Sequence, residues 1–206
     1  MMNRNWGEQG MLDHLTQALL SFEPFNEQEQ RDREVLLHAI AEHQEALLFR
    51  SSLCAHLTAS AWVVSPDMKQ VLMAYHNLYH AWSWLGGHAD GDADLLHVAL
   101  KEVREESGVT KVIPVSEQIY SVEVLTVDGH EKKGVYVPSH LHLNVTYLLT
   151  ADPLEPVRMK TDENSGVRWF LRDEAPDASS EIWFRERIYR KLNQKLRRVP
   201  YCPEKL

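Results

Sequence analysis

The sequence predicts an α/β domain carrying a helical N-terminal extension, and three patterns predict it. Helical spacing dominates up to about residue 50, strand-like runs bounded by turn residues take over from Leu53, and one strand, glycine loop and helix unit sits among the strands between Tyr79 and Gly108. A chain of 206 residues can bury one sizeable core. The expected organisation is therefore a helical extension over 1–52 and a single domain over 53–206.

Taken in order, Met11 to Phe22 reads as a first helix, and Glu23-Pro24-Phe25 as its connection to a second. Asn26-Glu27-Gln28-Glu29 looks like a helix start, because an Asn side chain can accept from a free N–H while Glu29 reaches back from the third helical position. Val35, Leu36, Ala39, Ile40, His43 and Leu47 follow near helical spacing, which predicts a helix from Glu27 to Phe49. Leu57 to Ser65 and Lys69 to His76 flank Ser65-Pro66-Asp67 and predict a hairpin. The aromatic-rich run Tyr79 to Trp84 ends in Gly86-Gly87, after which Asp94 to Ser107 reads as a helix closed by Gly108. Gln118 to Val127, His140 to Leu149 and Gly166 to Leu171 predict strands, and Ser180 to Arg198 a closing helix. The segment Asp128 to Pro138 fits a lid, an interface loop or an edge hairpin.

Composition narrows the classes of function. Hydrophobic residues at 44% and charged residues at 25% describe a folded chain rather than a disordered one. No apolar run reaches the roughly 18 residues that a membrane span needs, and Met1 to Gly10 lacks a basic stretch followed by an apolar one, so no membrane partner and a cytoplasmic location are expected. Cys54 and Cys202 lack metal-ligand spacing and form no disulfide framework, which suits a reducing compartment. A net charge of −8 argues against broad nucleic-acid binding. An anionic substrate would need local help, such as a metal. The amphipathic N-terminal helices suit either packing on the domain or a homodimer.

On the predicted helix, Leu96, Ala99, Leu100 and Val103 share one face, whereas Glu102, Glu105 and Glu106 stand at i, i+3 and i+4 on another. Leu95 and Val98 fall toward the glutamate side without an evident reason. Like charges at this spacing repel by about 0.2–0.5 kcal/mol per pair, so the trio needs solvent or a cation. By itself the string Glu-Val-Arg-Glu-Glu reads as a solvated acidic face, with Lys101 and Arg104 as partners. The context changes that reading. Leu85 to Val109 runs Leu-Gly-Gly-His-Ala-Asp-Gly-Asp-Ala-Asp-Leu-Leu-His-Val-Ala-Leu-Lys-Glu-Val-Arg-Glu-Glu-Ser-Gly-Val. This segment resembles the Nudix box, G-x5-E-x7-R-E-U-x-E-E-x-G-U with U aliphatic. Gly87 takes the first glycine, Glu102, Glu105 and Glu106 the metal-binding glutamates, Gly108 the last glycine, and Val103 and Val109 aliphatic positions. Ala93 stands where the family has its first glutamate, and Lys101 where it has arginine. Lysine keeps the charge but loses the planar fork that holds a carboxylate in two bonds. Asp92 and Asp94 flank the missing carboxylate, and either can cap the helix. Outside the box, His56 to Trp62 and Gly166 to Phe170 are similar to a bacterial branch of the same family.

The resemblance implies an α/β/α sandwich around a mixed sheet and a Mg²⁺- or Mn²⁺-dependent hydrolase acting on a small-molecule nucleoside diphosphate derivative. It further implies that Glu102, Glu105 and Glu106 are the metal ligands. Glu105 and Glu163 are the catalytic candidates, Glu163 because it lies in a polar loop six residues before Trp169, where some members place a catalytic glutamate. Gly86, Gly87 and His88 are the substrate-binding candidates, since paired glycines permit close backbone approach. His140 and His142, at alternate strand positions, read as a satisfied sheet pair or as ligands for metal or phosphate. Tyr79, Trp82 and Trp84 read as core or as a stacking surface. Two other readings compete: a Nudix-fold binding or regulatory module that has lost catalysis, motivated by Ala93 and Lys101, and an isopentenyl-diphosphate isomerase, for which Cys54 has no supporting motif.

Overall fold

A computed structural model describes residues 10–132, 134–160 and 164–199. Helix α1 (Asp13–Ser21) buries Leu15 and Leu19, and α2 (Glu27–His43) buries Leu36 and Ile40. Asn26 caps α2 by accepting from the Glu29 N–H at 2.9 Å. Glu29 reaches one residue further back than the expected box, accepting from the Phe25 N–H at 2.7 Å. The helix stops at His43, short of the predicted Phe49. Gln44 takes φ 49°, a left-handed value that breaks the α-helical path, and Gln44–Leu48 continue as a 3₁₀ turn.

The strands are β1 (Ala55–Val64), β2 (Gln70–His76), β3 (Ala81–Ser83), β4 (Leu85–His88), β5 (Val112–Pro114), β6 (Ser121–Val127), β7 (His130–Lys132), β8 (Val135–Val137), β9 (His140–Ala151) and β10 (Asn164–Leu171). The main sheet has the order β10-β2-β1-β9-β5, with β3 on β2, β4 on β1 and β6 on β9. It is mixed, because β1 and β9 run parallel from Ala55 opposite Leu141 to Val64 opposite Thr150, whereas the other pairs are antiparallel. The expected hairpin pairs β1 with β2 only at Val63 and Val64, since β4 takes the preceding stretch of β1. The segment Asp128 to Pro138 contains the two-stranded ribbon β7–β8. Helix α3 (Leu95–Ser107) lies between β4 and β5 in sequence. After β10 come the short α4 (Ala175–Ala178), a π-helical turn at Phe184–Tyr189 and α5 (Arg190–Leu196), which together occupy the predicted closing helix and the turn before it.

Strand alternation gives the two faces of the sheet different characters. Leu57, Ala59, Ala61 and Val63 of β1, with Leu143, Val145, Tyr147 and Leu149 of β9, join one apolar core with α3 and with the buried side chains of α1 and α2. The N-terminal helices therefore share the core of the domain. On the opposite face β1 carries His56, Thr58, Ser60, Trp62 and Val64. Trp62 and Val64 join a second core of Trp84, Phe170, Ile188, Tyr189 and Leu192 under the C-terminal helical layer. The result is a mixed sheet between helical layers, the α/β/α sandwich that the resemblance implies.

Candidate active site

Helix α3 begins where Asp94 accepts from the His97 N–H at 3.1 Å, so Asp94 is the N-cap. Asp92 accepts from the Asp94 N–H and pairs with the His97 ring at 2.7 Å, while Ala93 packs against the core. Gly108 ends the helix at φ 71°, a left-handed position that an L side chain adopts only with strain. The buried face of α3 comprises Leu95, Val98, Ala99, Val103, Glu106 and Ser107, with Leu96 and Leu100 only partly buried. That corrects the predicted stripe and accounts for Leu95 and Val98. The helix is rolled so that its glutamate side meets β1 and β4, which draws Glu102 and Glu106 against the sheet.

There the paired glycines matter. Gly86 N–H donates to the Glu106 carboxylate at 3.0 Å, and Glu106 is only 5% exposed. A Cβ on Gly87 would meet the Glu102 carboxylate carbon at 2.5 Å, so the absence of a side chain makes room for that carboxylate. A Cβ on Gly86 would instead strike the β1 backbone, 2.5 Å from the Ala59 carbonyl oxygen. Glu105 is partly open to solvent. Lys101 stands between two glutamates, 3.7 Å from Glu102 and 3.8 Å from Glu105, and Lys160 lies 4.0 Å from Glu105. These separations are those of point charges rather than of a bidentate fork. Glu163 lies outside the described residues.

The other face of β4 holds a different group. His88 pairs with Thr58 and points away from the side on which Gly87 faces Glu102. Four rings gather there: His56 lies 5.0 Å from His88, 4.7 Å from His140 and 5.0 Å from His142 between centroids, and His88 lies 4.8 Å from His142. Among the described residues, His56, His88 and His142 are the group whose ligand atoms all approach within 4.8 Å. Burial is the chief reason that His88 falls to about 3, with Arg50 and His56 adding to it. Burial, then His88, His56 and His140, brings His142 to about 2. His56 is lowered too, again mainly by burial.

Further along this face is a buried polar column. Thr58 and Ser60 donate to Asn144 Oδ1, each at 2.9 Å, and Asn144 Nδ2 donates to Glu123 at 3.0 Å. Glu123 also accepts from Thr146 at 2.8 Å and Lys191 at 2.9 Å. Glu29 from α2 completes the set, pairing with Lys195 at 2.7 Å and Lys191 at 3.3 Å, and the Ser121 hydroxyl lies within reach of both carboxylates. Two carboxylates face two ammonium groups, so the buried charges match. Burial pushes Glu29 up, but Lys191 and Lys195 outweigh it and hold the group below its ordinary value. Sequence reading singled out Glu29 only as part of a helix start and did not single out Glu123, Lys191 or Lys195, although polar residues at alternate positions of β1 and β9 were the available signal. Among the aromatic candidates, Trp84 is core and Trp82 is partly buried beneath Arg168, while Tyr79 is 43% exposed in the turn before β3, which begins only at Ala81.

Comparison with known proteins follows the same lines. A NUDIX domain model matches residues 55–192. Similar solved structures include an E. coli dihydroneopterin triphosphate pyrophosphohydrolase, with 15% identity over 69% of this chain and 96% of the other and a TM-score of 0.50. They also include the M. smegmatis Nudix hydrolase RenU, with 14% identity, 70% and 88% coverage and a TM-score of 0.50. A MutT protein from Methanosarcina mazei Go1 has 14% identity, 70% and 97% coverage and a TM-score of 0.50. At such identities the structural likeness speaks to fold alone. A search of curated proteins finds no match. With the family model spanning most of the chain and the box folded into its loop and helix, this protein belongs to the Nudix hydrolase family.

Proposed function

We propose that the chain hydrolyses a phosphoanhydride bond in a nucleoside diphosphate linked to another group, with Mg²⁺ or Mn²⁺ held by Glu102, Glu105 and Glu106. One observation carries the reading: two carboxylates on successive turns of α3 are fixed against the Gly86-Gly87 backbone, with Glu105 beside them. An all-oxygen donor set suits a hard cation, and Mg²⁺ needs only one or two protein carboxylates because water and substrate phosphate complete its shell. The ion when bound would offset charge on phosphate oxygens and lower the pKa of water. Glu106 is oriented by the Gly86 N–H, and Lys101 keeps Glu102 and Glu105 near one another despite their like charge. Glu105, the most open of the three, takes the proton as water attacks phosphorus and the bridging P–O bond breaks. Glu163 is the alternative base, supported by its place in a polar stretch of sequence six residues before Trp169. Gly86 and Gly87 serve the carboxylates, the first through the N–H that Glu106 accepts from and the second through the room it leaves for Glu102. The His88 side chain faces the other side of the sheet. No described helix is long and apolar enough to cross a membrane, and the exposed thiol of Cys54 suits a reducing cytosol.

The test is phosphate or nucleotide release from a panel of nucleoside diphosphate derivatives with Mg²⁺ or Mn²⁺. Native protein should turn over at least one derivative, and Glu105→Gln or Glu106→Gln should lose about 10²–10⁴-fold. Tight binding of a derivative with no turnover would overturn hydrolysis. It would favour the binding module that Ala93, in the place of a glutamate, allows.

A further inference from the structure

We propose that His56, His88 and His142, with His140 at their rim, form a second metal site, built for a late first-row transition ion such as Zn²⁺, on the face of the sheet opposite the glutamates. Three strands supply the ligands. The parallel register sets His56 of β1 directly beside His142 of β9, and the antiparallel register of β4 brings His88 diagonally across from His56. Their ligand atoms lie within 4.8 Å of one another. The Nε2 atoms of His140 and His142 are 3.2 Å apart. Two nitrogens bound to one tetrahedral Zn²⁺ at about 2.0–2.1 Å are separated by about 3.3–3.4 Å, so this pair already has the spacing of one edge. Within the trio of His56, His88 and His142, ligand atoms at most 4.8 Å apart need to close by about 1.5 Å or less to reach that spacing, within the reach of side-chain rotation.

The hydrogen bonds around the cluster point the same way. His56 Nδ1 lies 3.3 Å from the Ser52 carbonyl and His140 Nδ1 lies 2.8 Å from the Pro138 carbonyl. A carbonyl can only accept, so each ring carries its hydrogen on Nδ1 and presents the Nε2 lone pair inward, which is how metal-binding histidines are oriented. His56 is 5% exposed, and its Nε2 is buried with no hydrogen-bond partner among the described residues. An orphaned buried lone pair destabilises a purely structural cluster, and a cation satisfies it. The partly exposed His88 and His142 leave a route of entry. The nearest strong positive charge, Arg50, is matched by Asp90 in two bonds of 2.7 and 2.5 Å. Neutral imidazoles select zinc, copper, nickel or iron over magnesium, so the two faces would take different ions. A bound ion would tie β1, β4 and β9 together at the root of the β7–β8 ribbon.

The experiment uses the untagged full-length chain, stripped of metal and titrated with Co²⁺ and then Zn²⁺ in excess Mg²⁺. Expected are intense visible Co²⁺ bands of four- or five-coordinate imidazole sites, abolished by one equivalent of Zn²⁺, and one Zn²⁺ per chain after desalting. Both should persist in Glu105→Gln and Glu106→Gln. His142→Gln and His88→Gln, on different strands and checked for folding by circular dichroism, should each weaken Zn²⁺ binding by about 100-fold or more, since even a supporting hydrogen bond accounts for about 10–100-fold. Only weak six-coordinate Co²⁺ bands, no Zn²⁺ retained, or retention lost in the glutamate variants and kept in the histidine variants would each overturn the proposal. Turnover with Mg²⁺ is scored separately, so failure here leaves the hydrolase reading standing.

Discussion

The two faces of the sheet at β1 and β4 treat charge in opposite ways. On the α3 side, Glu102, Glu105 and Glu106 stand beside an otherwise apolar core, and their carboxylates meet a backbone N–H and lysines at 3.7–4.0 Å. On the other side, Glu29 and Glu123 are wholly buried and neutralised by lysines at 2.7–2.9 Å, while the histidines beyond them give up their charge to burial. A site poised to act on a substrate leaves its carboxylates loosely compensated, so that a cation can still gain by binding. A structural network compensates fully, because an unmatched buried charge would unfold it. The separation also places carboxylate oxygens and imidazole nitrogens on opposite faces of the same strands.

Substitutions should therefore divide by face. The largest effect on stability is expected from Glu123→Leu, which leaves the buried Lys191 and Lys195 sharing the single carboxylate of Glu29 and frees the hydrogen bonds of Asn144 and Thr146. Urea unfolding should show a loss of about 3–5 kcal/mol, and a loss under about 1 kcal/mol would mean that the column is open to water. Next come the neighbouring glycines, which should fail differently. Gly87→Ala displaces the flexible Glu102 carboxylate, lowering turnover about 10–100-fold with little change in melting temperature. Gly86→Ala meets the Ala59 carbonyl at 2.5 Å, and its first effect should be a lower melting temperature. Equal loss of stability in both would erase the distinction between a site contact and a strand contact. The smallest effect is in pH. Glu29 is held below its ordinary value of 4.5, so its contribution is fully present above that pH and is lost as pH falls through the lower folded value. Urea midpoints should decline over that acidic window, and Lys195→Gln should flatten the decline.

Several expectations failed for physical reasons that the particular residues make plain. The α2 helix ends early because Gln44 turns left-handed, a choice forced by where Leu47 and Leu48 must bury rather than by local preference. Periodicity predicts an α3 stripe of Leu96, Ala99, Leu100 and Val103; Ala99 and Val103 are buried, but Leu95 and Val98 replace Leu96 and Leu100 where the helix meets β1 and β4. Short pieces such as β5 and the β7–β8 ribbon are too brief for a period to register. By contrast, a helix cap at Asp92 or Asp94 and Gly108 as helix stop were readable, since each acts within a turn of its own position, and the structure gives the cap to Asp94.

The same distinction of range separates the two sites. Glu102, Glu105 and Glu106 lie within five residues on one helix, and the helical repeat alone makes them neighbours, so the string together with Gly87 and Gly108 was enough to place this chain in its family. His56, His88 and His142 are strangers in the string. They meet because β1 and β9 pair in parallel across 86 residues, in a register that sets Thr58 on Asn144 and His56 on His142. A slip of one residue would turn every one of those side chains to the other face. Nothing local specifies that register. The burial of Leu57, Ala59, Val145 and Tyr147 under the helices does, and it exists only once the chain has folded.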